Sequence, residues 1–507
     1  MLAPDYLDHA PDRLILLWQQ AEDDILRDVA RRIGKMDALT PTANWQLWRY
    51  QQTEAVRKDV VKLLVRYTGK SESEIRRLMQ EAATAALEAE DEIYYHYGKE
   101  PTSFEESTPL QNLLNAGYRQ TAGSFSNLTA TTANTVSGAF EQALDRAWLQ
   151  VSSGAFDYKT AVKRAVDGLA DSMPYVTYPS GHRDTLEVAC RRAVLTGVNQ
   201  TGAKLQEARM DEMGASFVEV TAHGGARPSH AVWQGRRYHR GGAVDYLGQH
   251  YEDFESATGY GTGAGLCGWN CRHTFFVVFP ELGSPPAWTR ESLEALNARD
   301  IEYDGRLYTR YEISQMQRAR ERAVRKWKRR YLAEDAAGAD AAASAVKLRQ
   351  ARQSLADFTR ATGGRVDSAR TSVHGFGRSE GSKASYAARK QERFNAANTE
   401  LQQMREAGTI KAKGRLIESP SAPNEINFAS DHVLQRWAER GMGPMDAERI
   451  IRSSKVAMSQ RNGTQTCYYS ELGFVAIGQD GNVSSIGPLD EGGKKLMEVV
   501  KKHGIPH

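Results

Sequence analysis

Two scarcities bound this chain before any motif is read. Four cysteines in 507 residues, Cys190, Cys267, Cys271 and Cys467, are too few and too unevenly placed for a disulfide framework, so synthesis in a reducing cytoplasm is expected. Long apolar runs are missing as well. Those that stand out, such as Leu14 to Trp18 and Phe275 to Phe279, fall far short of a bilayer span. Near the start stand Asp5 and Asp8, where an export signal is basic, so neither export nor a membrane segment is expected. What is present is ordinary for a globular protein: 40% hydrophobic and 25% charged residues exclude a mostly disordered chain. The length suits roughly three domains.

The net charge of +3 hides a polarity along the chain. Residues 1–110 carry 14 basic against 20 acidic side chains, whereas 318–330 carry eight basic residues and one acid, Glu321. Residues 361–415 carry eleven basic against five acidic. Such asymmetry suits a protein that meets a polyanion with one part and protein with another, although a charge run can also be a solvated helix face.

Periodicity sets the expected organisation. Leu14, Trp18, Ala21, Ile25, Val29 and Ile33 recur at helical spacing, and Ser71 with Glu74 reads as a capping box opening a second helix that runs to about Tyr95. A Ser/Thr/Asn-rich segment, 124–137, leads into helical patterns at 139–151 and 158–169. Helical spacing over 184–213 stops at Gly214, and Phe217, Val218 and Val220 begin a strand. The fold class expected is multidomain: an extended helical module over 1–175, a compact α+β core over 176–290, and a basic helix segment over 291–334. A partly helical, partly disordered linker over 335–427 and a small α+β domain over 428–507 complete it.

The central motifs are HGGARPSHAVWQGRRY, His223 to Tyr238, and CGWNCRHTFFVVFP, Cys267 to Pro280, with YPSGHRDTLEVACRRAVLTGVNQTGAKL upstream, Tyr178 to Leu205. Together with YEISQMQRARERAVRKWKRR they resemble the phage minor capsid protein 2 family, within the head morphogenesis group typified by the F protein of phage Mu. The resemblance covers most of residues 1 to about 340. It implies a low-copy virion protein bound to the portal inside the head, with other head proteins and packaged DNA as partners, sometimes ejected with the genome. It carries over no catalytic residues.

Two sets of candidate residues follow in this part. Cys267, Cys271 and His273 are closely spaced ligands for which His223, His230 or His239 could supply a fourth, making a structural zinc set; alternatively the cysteines are small residues packed near a strand. In the basic helix Arg318, Arg322, Arg325 and Arg329 stand at helical spacing, flanked by Lys326 and Arg330, so charge covers most of its circumference. Such a helix is expected to stay unburied and to contact packaged DNA, without reading sequence, or an acidic portal surface.

The last 80 or so residues read as helix, helix, strands, helix, with strands at 467–469, 474–477 and 483–486 and a tight turn at Asp480-Gly481. HVLQRWAERG and this order resemble toxin nucleases of the barnase, EndoU, colicin and RelE type, which implies a metal-independent ribonuclease acting on RNA. His432, Arg436 and Arg440 share one helical face and Tyr468 or Tyr469 stands on a neighbouring strand, a set that can accept a proton and hold a phosphate. The alternative is a small packing unit in which His432 and Arg436 pair with Glu439 or Glu448.

Overall fold

A computed structural model describes residues 2–506, apart from 36–42, 154, 173–174, 179–180, 411–412, 421–425, 429–434, 436–438 and 479. The chain divides into two units, Met1–Glu380 and Gly381–His507. Each buries its own apolar clusters.

Long helices build most of the first unit: Asp12–Gly34, Ala43–His96, Thr108–Ser152, Tyr158–Ser172 and Leu186–Met213. The stripe expected in the first of these is buried, with Trp18, Ala21, Val29 and Ile33 fully so. Ser71 does not start a helix. It sits midway along Ala43–His96, where its Oγ donates to the Tyr67 carbonyl at 2.8 Å and accepts the Trp18 indole N–H at 2.9 Å. A serine can thus be held inside a helix by bonding one turn back and serving a buried donor, which a capping pattern does not distinguish. The polar stretch 124–137 is likewise continuous helix.

The Leu186–Met213 helix opens on Thr185, whose side chain accepts from the Val188 amide, and stops at Gly214, at φ 65°. That left-handed conformation favours a residue without Cβ. Beyond it lies a three-stranded antiparallel sheet with Phe217–Val220 in the middle, flanked by Arg237–His239 and Phe275–Val277. Val218, Val220, Phe275 and Val277 are buried together with Met210 of the helix and Tyr94 of Ala43–His96. The outer strand is tied down by buried polar groups: Gln206 Nε2 donates to the Phe275 carbonyl, and Glu90 accepts the Val277 amide.

Arg310–Ala336 is the basic helix, begun by a reciprocal capping box of Thr309 and Glu312. It packs on Asp12–Gly34, Tyr158–Ser172 and Ala342–Ala361. The last of these lies in the stretch expected to be linker, yet buries Ala345, Leu348, Leu355 and Phe358.

The second unit opens within the helix Arg378–Glu406 and contains a five-stranded antiparallel meander: Arg415–Glu418, Val456–Gln460, Gln465–Ser470, Gly473–Gly478 and Val483–Gly487. Alternation sorts its side chains to two buried faces. Val456, Met458, Cys467 and Tyr469 pack with Phe394, Leu401, Leu496 and Val500 of the helices Arg378–Glu406 and Glu491–Lys502. Ala457, Tyr468, Val475 and Ile486 pack with Ala447 and Ile450 of Pro444–Ser453. Part of this unit therefore also comes from the expected linker, whose helix Arg378–Glu406 is buried through Ala384, Ala388 and Ala397 as well as Phe394 and Leu401. Alanines carry too little apolar surface to stand out against arginine and glycine in composition.

Candidate functional site

The basic helix differs from its expectation in one respect: much of its charge is buried and neutralised within the first unit. Arg329 Nη2 lies 2.7 Å from Glu22 Oε2 and its Nε 2.6 Å from Asp23 Oδ1. Arg330 reaches Asp167 at 2.6 Å and Asp171 at 3.3 Å. Lys326 meets Asp171 at 2.9 Å, and Arg325, buried, meets Glu187 at 2.6 Å. The acids that receive these cations stand on Asp12–Gly34, Tyr158–Ser172 and Leu186–Met213, and of them Glu22 and Asp23 belong to the acidic stretch 1–110. A cation can enter the interior only with such partners.

Four cations of the stretch 318–330 have no ion pair among the described residues: Arg320 and Lys328, which donate to neutral oxygens of Met316, Tyr303 and Thr371, and Arg318 and Arg322. The last two line a cavity of about 220 Å³ with Arg191, Arg272, Arg325 and Arg370, against the carboxylates Asp8, Glu187 and Glu321. Asp8 is shared by Arg191, Arg272 and Arg370 at 3.5 to 3.7 Å. Burial, joined by Arg370, pulls the Arg318 guanidinium down to about 10. Arg325 Nη1 is buried without a hydrogen-bond partner among the described residues. The cavity thus holds more guanidinium than carboxylate, a setting that favours an oxyanion. Residues 8, 191, 272 and 370 were not singled out from the sequence. They lie hundreds of positions apart, and only the fold brings them together.

A second cluster lies beneath the sheet. Cys271 Sγ is 3.7 Å from His230 Nδ1 and 3.6 Å from His273 Nδ1. The ligand atoms of these three buried residues all lie within 4.8 Å of one another. Cys267, also buried, lies outside this group of three, with its Sγ 3.6 Å from the His273 carbonyl oxygen. His223 is not in this group: its ring stacks on His273 with centroids 4.3 Å apart, and Nδ1 is turned to Gly224 O. Of the histidines weighed for the fourth place, His230 is therefore the one brought to Cys271. Asn199, on the Leu186–Met213 helix, anchors the loop by donating to the carbonyls of Cys271 and His273, both at 3.0 Å. Within the loop Cys267 and Asn270 adopt φ of 56° and 55°, a costly conformation for residues with a Cβ that persists only where surroundings enforce it. Burial holds the His273 imidazole well below its ordinary range and the Cys271 thiol above its own.

In the second unit His432 and Arg436 lie outside the described residues. Arg440 Nη1 donates to the Ile486 carbonyl at 2.5 Å. Tyr469 is only 7% exposed and packs in the interior cluster, stacked on Phe474 with centroids 6.1 Å apart. Alternation turns its side chain towards the helix-covered face of the sheet.

No helix among the described residues is long and apolar enough to cross a membrane. No curated protein and no solved structure matches the chain. The model of one family, phage minor capsid protein 2, matches residues 2–360. That span takes in the five long helices, the sheet with its His/Cys cluster, the basic helix and the lining of the arginine cavity other than Arg370. The chain belongs to the phage minor capsid protein 2 family.

Proposed function

We propose that this protein, a component of the phage head, works at the portal inside the capsid and holds packaged DNA by its backbone phosphates in the arginine cavity. The observation that carries the reading is the imbalance there: six guanidiniums face three carboxylates, and Arg318 and Arg322 have no ion pair among the described residues. Guanidinium forks suit phosphate oxygens, and binding through them is independent of sequence. Arg325, Lys326, Arg329 and Arg330 of the same helix serve the fold through their ion pairs and contribute field more than contact.

The test is the salt dependence of DNA binding by the full chain. Replacing Arg318 and Arg322 together by alanine is expected to flatten the slope of log affinity against log salt by about 2, one counterion for each lost phosphate contact. A slope unchanged by the double substitution would remove the cavity from the reading. An asymmetric reconstruction of the virion tests the place: density for the chain at the portal vertex supports it, and density only elsewhere in the shell overturns it.

A second reading concerns residues 381–507. They fold as a unit outside the family match, which favours an appended module with a task of its own, delivered with the genome. The ribonuclease expectation rests on His432 and is tested by incubating the full chain with RNA: cleavage that His432→Ala abolishes supports it. Equal cleavage by both proteins, or none by either, ends it.

A further inference from the structure

We propose that His230, Cys271 and His273, with Cys267 completing the set, hold one divalent zinc-type cation that fastens the central sheet to its loops. The first argument is one of hydrogen bookkeeping. His230 Nε2 stands 2.9 Å from the Ala264 carbonyl oxygen, which can only accept. His273 Nε2 stands 2.9 Å from Gln234 Oε1. That oxygen is fixed as an acceptor, because it also takes the His223 amide at 3.1 Å while Gln234 Nε2 faces Asn297 Oδ1 at 3.2 Å. Both neutral imidazoles therefore carry their proton on Nε2, and both Nδ1 lone pairs converge on one sulfur. A thiol has one hydrogen and can serve one of them. The other lone pair would stay buried against sulfur, a cost that a shared cation removes.

The spacing gives the second argument. For a tetrahedral zinc with Zn–N of about 2.0 Å and Zn–S of about 2.3 Å, the nitrogen–sulfur edge comes to about 3.5 Å. The two edges here are 3.7 and 3.6 Å. Charge supplies the fourth ligand. Two imidazoles and one thiolate around a divalent ion leave a positive centre, with Arg227 and Arg272 close enough to act on the histidines. A second thiolate makes the buried site neutral. Cys267 Sγ and Cys271 Sγ lie against the same His273 carbonyl, at 3.6 and 3.8 Å. On binding, each thiol releases its proton to solvent as its sulfur–metal bond forms. Gln234 and the Ala264 carbonyl then act as positioning groups that fix the imidazoles. The site would join the short helix Pro228–Ala231, the 267–271 loop and the residues leading into Phe275–Val277.

The test uses the full chain, stripped with a chelator and titrated with zinc and, separately, with cobalt(II). One equivalent of zinc per chain is expected, and cobalt should show thiolate charge-transfer absorption with the visible bands of a tetrahedral ion. Gln234→Leu should weaken zinc binding about 10- to 100-fold while the cobalt spectrum keeps its tetrahedral form. Cys267→Ser should reduce the charge-transfer intensity, and Cys271→Ser combined with His230→Ala should abolish it. A wild-type chain that takes up no zinc, or a cobalt complex without thiolate absorption, would overturn the proposal whatever the variants do. An unchanged spectrum in Cys267→Ser would remove that cysteine from the set.

Discussion

At the scale of single residues, the arginines of the basic helix divide by what faces them. Arg329 is held by Glu22 and Asp23 and is 13% exposed at its side chain, so Arg329→Ala strands two carboxylates in the interior. A loss of about 3–5 kcal/mol is expected, read as a lowered midpoint in urea. Arg322→Ala, at an exposed position, should leave that midpoint within about 0.5 kcal/mol of the parent. Equal losses would mean that the ion pairs do not order the helix. Glu22 adds a pH dependence. Burial pushes its carboxyl up to about 7, against the pull of Arg329. The folded state therefore binds this proton more tightly than the unfolded chain. Its contribution is complete below the unfolded value near 4.5 and is lost as pH rises through about 7. Melting the full chain between pH 4.5 and 8 should show this decline, and Glu22→Gln should shallow it; an unaltered profile in the variant would assign the slope to other groups.

At the scale of elements, two helices meet through glycine. A Cβ on Gly117 would overlap Thr201 Oγ1, and one on Gly197 would overlap Thr121 Oγ1, so Thr108–Ser152 and Leu186–Met213 approach through two reciprocal Gly–Thr contacts. Threonine is stiff at χ1 and cannot swing clear cheaply. Gly197→Ala is expected to destabilise by about 1–3 kcal/mol through overpacking. Gly69, in Ala43–His96 with nothing near its Cβ position, should gain about 1 kcal/mol from the same change. The same sign for both in thermal melts would refute the packing account. These contacts also mark what the sequence could disclose. Strong stripes such as Trp18 to Ile33, the stop at Gly214 and the alternating strands 467–469 and 474–477 were legible, because each signal is local. Ser71 misled, since its pattern is that of a cap and its partner, Trp18, lies 53 residues away. The partly helical linker expected over 335–427 did not foresee the burial of Ala342–Ala361 or of Arg378–Glu406, the second of which buries a face rich in alanine. Of the candidate site, Cys271 and His273 were legible from spacing and His230 only as one of three alternatives. Of the arginine cavity only Arg318, Arg322 and Arg325 were legible, from their spacing on one helix, since no periodicity joins them to positions 8, 191, 272 and 370.

At the scale of the whole molecule, each buried cluster draws its residues from one unit only. Cooperative unfolding follows shared cores, so the full chain should show two calorimetric transitions and not a single two-state one. Leu205 and Ile450 are fully buried, one in each unit. Leu205→Ala and Ile450→Ala each remove a filled side chain, at a cost of about 2–5 kcal/mol, and each should lower a different transition while leaving the other in place. Metal removal can be placed on the same scale. The His/Cys cluster belongs to the first unit, and an ion that binds only the folded state stabilises that state alone. Chelator should therefore lower the transition that Leu205→Ala lowers and leave the one that Ile450→Ala lowers. A chelator effect on the Ile450 transition, or one merged transition that both substitutions shift alike, would show that the two units melt as one body.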